Sequence, residues 1–389
     1  MSCTVASGRL TAGEPARSEV RVRDMRSAHW RSAAVVAVTL LLASCAGEDG
    51  GDPAGLASPT DAPRETVATP SAEPTSVPSA EATPEDPTPP PFEPEMASYD
   101  VPAGSRPHDV APATDGGVWY TAQNAGELGY LDPESGDTRH IALGPGSRPH
   151  GVIVGPDGDP WITDGGLNAI VRVDPATDDV EVFPLPADRP DANLNTAAFD
   201  LDGRLWFTGQ NGVYGRLDPA SGEMAVFDAP RGPGPYGIAA TPDGDVYFVS
   251  LAGSYLAHVD LRTDEATVLE PPTDGQGARR VWSDSGGRLW VSEWNAGQLA
   301  MYDPATTEWQ EWPLPGEAPQ AYAVYVDERD AVWVSDFGGN ALWRFDPETE
   351  EFAEFPNPGD PGEVRQLLGR EGEVWAPESA ADRLVVIRY

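Results

Sequence analysis

An aromatic residue recurs seven times at near-constant spacing along this chain, at Trp119, Trp161, Trp206, Tyr247, Trp290, Trp333 and Trp375, with intervals of 41 to 45 residues. The context returns with it, as Asp115-Gly-Gly-Val-Trp-Tyr-Thr, Asp202-Gly-Arg-Leu-Trp-Phe-Thr and Asp243-Gly-Asp-Val-Tyr-Phe-Val show. A second signature follows in phase: Leu131-Asp-Pro, Val173-Asp-Pro, Leu217-Asp-Pro, Tyr302-Asp-Pro and Phe345-Asp-Pro. Between these marks lie short runs of β-branched and aromatic residues bounded by Gly, Pro, Asn or Asp. That is strand-and-turn chemistry. Four short antiparallel strands in about 42 residues make one propeller blade. A blade cannot cover both its faces alone, so the copies must stack, and a closed ring leaves no bare end. The fold class is all-β, a seven-bladed β-propeller. Residues 93–103 resemble an orphan fourth strand, and the last unit stops after three strands at Leu384–Tyr389. The N-terminal strand is therefore predicted to close the last blade.

The repeat spans residues 92–389, which leaves two segments before it. Residues 1–45 carry Arg26 and Arg31, an apolar run from Ala33 to Ala43, and then Leu42-Ala43-Ser44-Cys45. A basic start and a short apolar run read as an export signal rather than a membrane span. The small residues ahead of Cys45 resemble a lipobox, which predicts lipidation of Cys45 and an exported, extracytoplasmic protein whose membrane contact is the lipid alone. Residues 46–91 are rich in Pro, Thr, Ser and Glu and read as a disordered tether. Cys3 and Cys45 are the only cysteines. Both precede the repeat, so it has no disulfide framework, no thiolate metal site and no thiol nucleophile. Net charge is −38 and all 25 basic residues are arginine. Such a surface lacks the basic patch that phosphate backbones need, which argues against a nucleic-acid partner.

In a blade the first strand lies nearest the axis, and its start shares a rim with the end of the second strand. Eleven residues before each aromatic stand His108, His150, Asn195, Tyr236, Arg279 and Tyr322; in the last blade the count gives Val364 or Arg365. Three residues after it stand Ala122, Asp164, Gly209, Ser250, Glu293, Asp336 and Glu378. These positions vary while the scaffold repeats, so they are candidates for a small-molecule site in the central channel. His108 and His150 occupy equivalent places in adjacent blades, with Asp164 on the same rim, and a carboxylate beside an imidazole suits general base chemistry. Glu293, Asp336, Glu363 and Glu378 form an acidic arc able to supply oxygen ligands to a hard cation. Arg148 and Arg279 offer donors, and Tyr236 and Tyr322 offer contact surface, to a bound ligand.

Arg148-Pro-His-Gly-Val, the Asp-Gly-x-x-Trp-Ile-Thr-Asp ending at Asp164, and Val182-Phe-Pro-Leu-Pro resemble the repeats of the virginiamycin B (streptogramin B) lyases over roughly residues 98–389. NHL-type and gluconolactonase-like propellers are looser relatives. The resemblance implies a seven-bladed, Mg²⁺-dependent monomer that opens a cyclic depsipeptide by elimination at its ester. It makes His150 the proton-abstracting base and His108 a substrate contact, with Asp164, Glu363 and Glu378 as the carboxylates for the metal. Arg148 stands where the family has Glu two residues before its catalytic histidine. In the last blade the Glu-x-His pattern is Glu363-Val364-Arg365. Two other functions fit the same rim: a non-catalytic surface module binding a small ligand, peptide or glycan, and a gluconolactonase-like hydrolase.

Overall fold

The structure is a computed structural model that describes residues 92–389, so the expectations for the export segment, Cys45 and residues 46–91 lie outside the described residues. Every regular element among the described residues is a strand, and the strands form seven four-stranded antiparallel sheets. The first strands are Pro107–Pro112, Pro149–Val154, Leu194–Phe199, Pro235–Ala240, Ala278–Ser283, Ala321–Val326 and Leu368–Arg370. They stand side by side around the axis, with blade 7 meeting blade 1. The second strands are Val118–Ala122, Pro160–Asp164, Leu205–Gly209, Val246–Ser250, Leu289–Glu293, Val332–Asp336 and Glu373–Glu378.

The recurring aromatic explains the stacking. Each copy is buried and fills the space toward a neighbouring blade. Trp161 packs with Leu194, Leu205 and Phe207 of blade 3, and Trp375 of blade 7 packs with Val110, Val118 and Tyr120 of blade 1. A buried aromatic hides about 150–250 Å², worth about 4–6 kcal/mol as an upper bound. The indole N–H still needs an acceptor. Trp206, Trp290 and Trp333 donate to Asp200, Asp284 and Asp327 at 2.8, 3.0 and 2.8 Å. The same carboxylates accept backbone amides of the turn between the first and second strands. In that turn Gly116, Gly158, Gly203, Gly244 and Gly287 take φ between 78° and 98°, a region closed to most side chains.

The ring closes as the sequence predicts. Glu95–Asp100 pairs antiparallel with Arg383–Arg388, from Glu95 opposite Arg388 to Asp100 opposite Arg383, and supplies the fourth strand of blade 7. Beyond it, Asp382 accepts the amides of Gly104 and Arg106 at 2.7 and 2.6 Å and so fixes the entry to blade 1.

Two features of the strands position the axial residues. In blades 1 to 6 the register of the first strand shifts near its start, between Pro107 and Val110 in blade 1 and between Ala278 and Arg280 in blade 5. Such a bulge breaks the alternation of side chains. A hydroxyl two residues after the buried aromatic then secures the bulge. Thr121, Thr163, Ser292 and Ser335 accept the amides of Asp109, Gly151, Arg280 and Ala323 at 2.9 to 3.0 Å. They donate in turn to carbonyls of the next blade, those of His150, Asn195, Tyr322 and Val364.

Candidate functional site

The first-strand starts and second-strand ends do share one rim. Pro107 pairs with Ala122, Pro149 with Asp164, Pro235 with Ser250, Ala278 with Glu293 and Ala321 with Asp336. The structure brings together His108, His150, Tyr236, Arg279 and Tyr322, with Arg365 as the contribution of blade 7. Val364 instead lies in the core.

The two imidazoles lie against each other with centroids 3.8 Å apart and planes tilted by 45°, and both are buried. His108 Nδ1 lies 2.7 Å from Asp109 Oδ1, and His150 Nδ1 lies 3.1 Å from the carbonyl of Asn195. A carbonyl and a carboxylate only accept, so both Nδ1 atoms carry the proton and both Nε2 atoms hold a lone pair. Burial holds His108 well below the usual imidazole pKa, followed by the charges of Arg280, Arg365, Arg279 and Arg106. His150 is lowered by burial and then by the neighbouring His108. Both rings are neutral at pH 7. Asp109 is in turn bound by Arg280 at 2.9 and 3.3 Å, and Arg280 donates to Thr196 at 2.7 Å. The Tyr236 and Tyr322 hydroxyls meet at 2.5 Å, and Arg279 donates to Tyr236 at 3.3 Å. Burial alone would raise Tyr236, but Arg279 and Arg280 outweigh it and lower its pKa, while Tyr322 is pushed up to about 12 by burial and by Tyr236.

Asp109 and Arg280 escape the counting from the aromatics. They sit one residue beyond His108 and Arg279, and the bulge turns two consecutive side chains toward the channel. Gly151 and Gly237 occupy the same place in blades 2 and 4. A Cβ on Gly237 would stand 2.7 Å from the Arg280 Cα, so glycine there admits the blade 5 strand. The legible signal was the Arg279-Arg280 pair at a bulge position.

The carboxylates chosen from the sequence are otherwise employed. Asp164 accepts the amides of Arg148, Gly166 and Leu167, each at 2.9 Å, and the hydroxyl of Ser147, which holds the turn of its own blade. Asp336 accepts the amides of Gln320 and Gly338 at 2.7 and 2.9 Å in the same manner. Glu378 accepts the amide of Gly359 at 2.8 Å, and burial raises its pKa. Glu363 pairs with Arg106 at 3.1 Å and with Arg365. Among the described residues the cluster able to surround one ion is His108, Asp109 and His150. Mg²⁺ calls for an octahedron of oxygen ligands. Two imidazoles and one carboxylate already bound to a guanidinium do not fit it, and Asp164, Glu363 and Glu378 do not join a common cluster. Arg148 is exposed and, with His150, lines a pocket of about 250 Å³ between blades 2 and 3.

The sequence profile of the virginiamycin B lyase family matches residues 92–306. The chain belongs to the virginiamycin B lyase family. No curated protein matches its sequence. Among solved structures, virginiamycin B lyase from Staphylococcus aureus is similar at TM-score 0.70 and 18% identity, over 76% of this chain and 100% of that one. A streptogramin B lyase gives 0.69 and 22%, over 76% and 97%. A catalytically inactive histidine-to-alanine variant of the S. aureus enzyme with quinupristin gives 0.70 and 18%, over 76% and 100%. At these identities the likeness establishes the propeller. The profile match ends within blade 5, before Glu363 and Arg365, where this family member departs from the Glu-x-His pattern.

Proposed function

We propose that this propeller acts on a small ester-type molecule at the axial mouth, by proton abstraction and elimination, with His108 as the base. The observation that carries this is the His108–Asp109 contact at 2.7 Å, with the His150 ring 3.8 Å away. The sequence pointed to His150 with Asp164, but the carboxylate within bonding distance of a mouth imidazole is Asp109, and its partner is His108. The carboxylate fixes the tautomer and leaves Nε2 free to accept a proton. In the step, Nε2 takes the proton α to a carbonyl, the C–H electron pair becomes the C=C bond, and the β C–O bond breaks with its electrons leaving on the carboxylate. The growing negative charge needs donors in place; Arg279 and Arg365 supply them from this chain's own residues. Family membership and the quinupristin complex of the histidine-variant relative support a cyclic depsipeptide as the first substrate to assay.

The test is turnover of quinupristin by the full chain, with and without a chelator. His108→Ala should remove activity by at least about 10²-fold, the contribution of a positioned base, with the fold intact. Chelation should change little. Because His108 stays neutral well below its ordinary pKa, the rate should hold as pH falls through about 6.5. Binding of quinupristin without turnover would instead favour a ligand-binding module, a reading supported by the burial of both imidazoles. The same proposal includes export, lipid attachment at Cys45 and a monomeric state, which gel filtration of the Cys45→Ser protein tests.

A further inference from the structure

We propose that the axial mouth recognises a carboxylate carried on a flat apolar body, with Arg279 as its counter-ion. This rests on the mouth being the ligand site, not on elimination occurring there.

The described residues contain 18 arginines, and 15 of them lie within 4.0 Å of a carboxylate oxygen. In a chain of net charge −38 that is the expected fate of a guanidinium. The three without such a partner among the described residues are Arg148, Arg279 and Arg344. Arg344 lies over the Phe92 ring at the outer edge of the ring of blades. Arg148 and Arg279 stand on the mouth. Two cations left without acids at the same opening, in a molecule with so large an acidic surplus, mark a place kept for an anion from outside.

Arg279 is also built in. Its guanidinium lies 3.5 Å from the Tyr322 centroid, 4.5 Å from Trp294 and 4.9 Å from Tyr236. Aromatic faces hold such a cation without neutralising it, so its charge is left for an acceptor from outside. Its hydrogen bond among the described residues goes to the Tyr236 hydroxyl, and its Nε is buried with no partner. The nearby acid Glu293, paired across from Ala278, is turned away to Gln298 at 2.6 Å. Beside Arg279 the rim is apolar and flat. Trp294 and Phe337 meet edge to face at 5.4 Å, Phe337 stacks on Tyr322 at 4.7 Å, and Trp294 borders an open groove of about 700 Å³ with Pro319 and Gln320. A ligand with a planar apolar part on Trp294 would present its carboxylate to Arg279.

Sodium benzoate and its neutral isostere benzamide provide the test, titrated calorimetrically into the full chain at about 0.15 M salt, where exposed charges are screened beyond about 8 Å. Benzoate should bind at least tenfold more tightly than benzamide. Arg279→Gln should bring benzoate down to the level of the amide in a protein that still unfolds cooperatively. Arg279→Lys, which keeps the charge and loses the flat fork, should fall between the two. The proposal is overturned by equal affinities for benzoate and benzamide, by undiminished binding in Arg279→Gln, or by no saturable benzoate binding. The wild-type ratio decides the matter even if a variant fails to fold. Turnover is read separately: benzoate selectivity in a protein that never cleaves quinupristin defeats the elimination reading alone, and turnover without benzoate selectivity defeats this one alone.

Discussion

Glu293 is fully buried at the end of the second strand of blade 5, with one oxygen on Gln298 and the other without a partner. Burial raises its pKa to about 8 from 4.5. Between these two values the folded protein holds a proton that the unfolded chain has released, so stability falls as pH rises across that window. Glu293→Gln keeps the shape and removes the titration. The variant should match the wild type near pH 5 and exceed it by about 2–4 kcal/mol near pH 8. Denaturant unfolding at both pH values checks this, and a difference independent of pH would overturn it. Single residues were also where the sequence was least legible. Counting from Trp119 and Trp290 found His108 and Arg279 because the repeat fixes their distance along the chain. It missed Asp109 and Arg280 because a bulge, invisible in the pattern of residue types, turns the next side chain to the same side. It offered Asp164 as a neighbour of His150 because both are on one rim, but an end-of-strand carboxylate facing unpaired loop amides is captured by them first.

Strands were the most legible element, since Asp-Gly turns, Asp-Pro caps and alternating apolar runs each have a local cause that needs no tertiary knowledge. Asp132, Asp174 and Asp218 illustrate it: each accepts the amide two residues on, at 2.9, 2.8 and 2.9 Å, and starts the turn between the third and fourth strands. The hydroxyl bridges between blades were legible as the Thr or Ser two residues after the aromatic, though their role needed the neighbouring blade to be in place. Blade 4 has Val249 there and blade 7 has Pro377, so the bridge is a local reinforcement rather than a condition of the fold. Thr163→Val should leave the Gly151 amide and the Asn195 carbonyl each without this partner, at a cost of about 1–3 kcal/mol. The same change should loosen His150, which donates to that carbonyl. Denaturant unfolding measures the first effect. A variant as stable as the wild type would show that the bridges contribute nothing. Deleting residues 93–103 should be far more damaging, because it strips a whole ladder from Arg383–Arg388 and exposes Trp375, which stacks on Tyr99 at 5.8 Å.

The direction of the strands sets the face at which the chain joins the ring. Glu373–Glu378 runs toward the mouth, since Glu378 ends on the same rim as Asp164 and Asp336. Arg383–Arg388 therefore runs away from it, and Glu95, paired with Arg388, lies at the opposite face. The chain thus enters the ring from the face away from His108 and Arg279. If lipid on Cys45 holds the protein, as proposed above, the segment that bears it joins the ring at the face opposite the mouth. A chain of net charge −38 is repelled by anionic headgroups, so on this proposal the attachment would rest on the lipid. A single acyl chain binds marginally and stable anchoring takes two signals, so processing at Cys45 should add more than one chain. Cys45→Ser should move the protein from the membrane to the soluble fraction. Benzoate should bind equally to the anchored and the released forms. A Cys45→Ser protein that still sediments with membranes would remove the anchor, and weaker binding by the anchored form would show the mouth turned toward the bilayer.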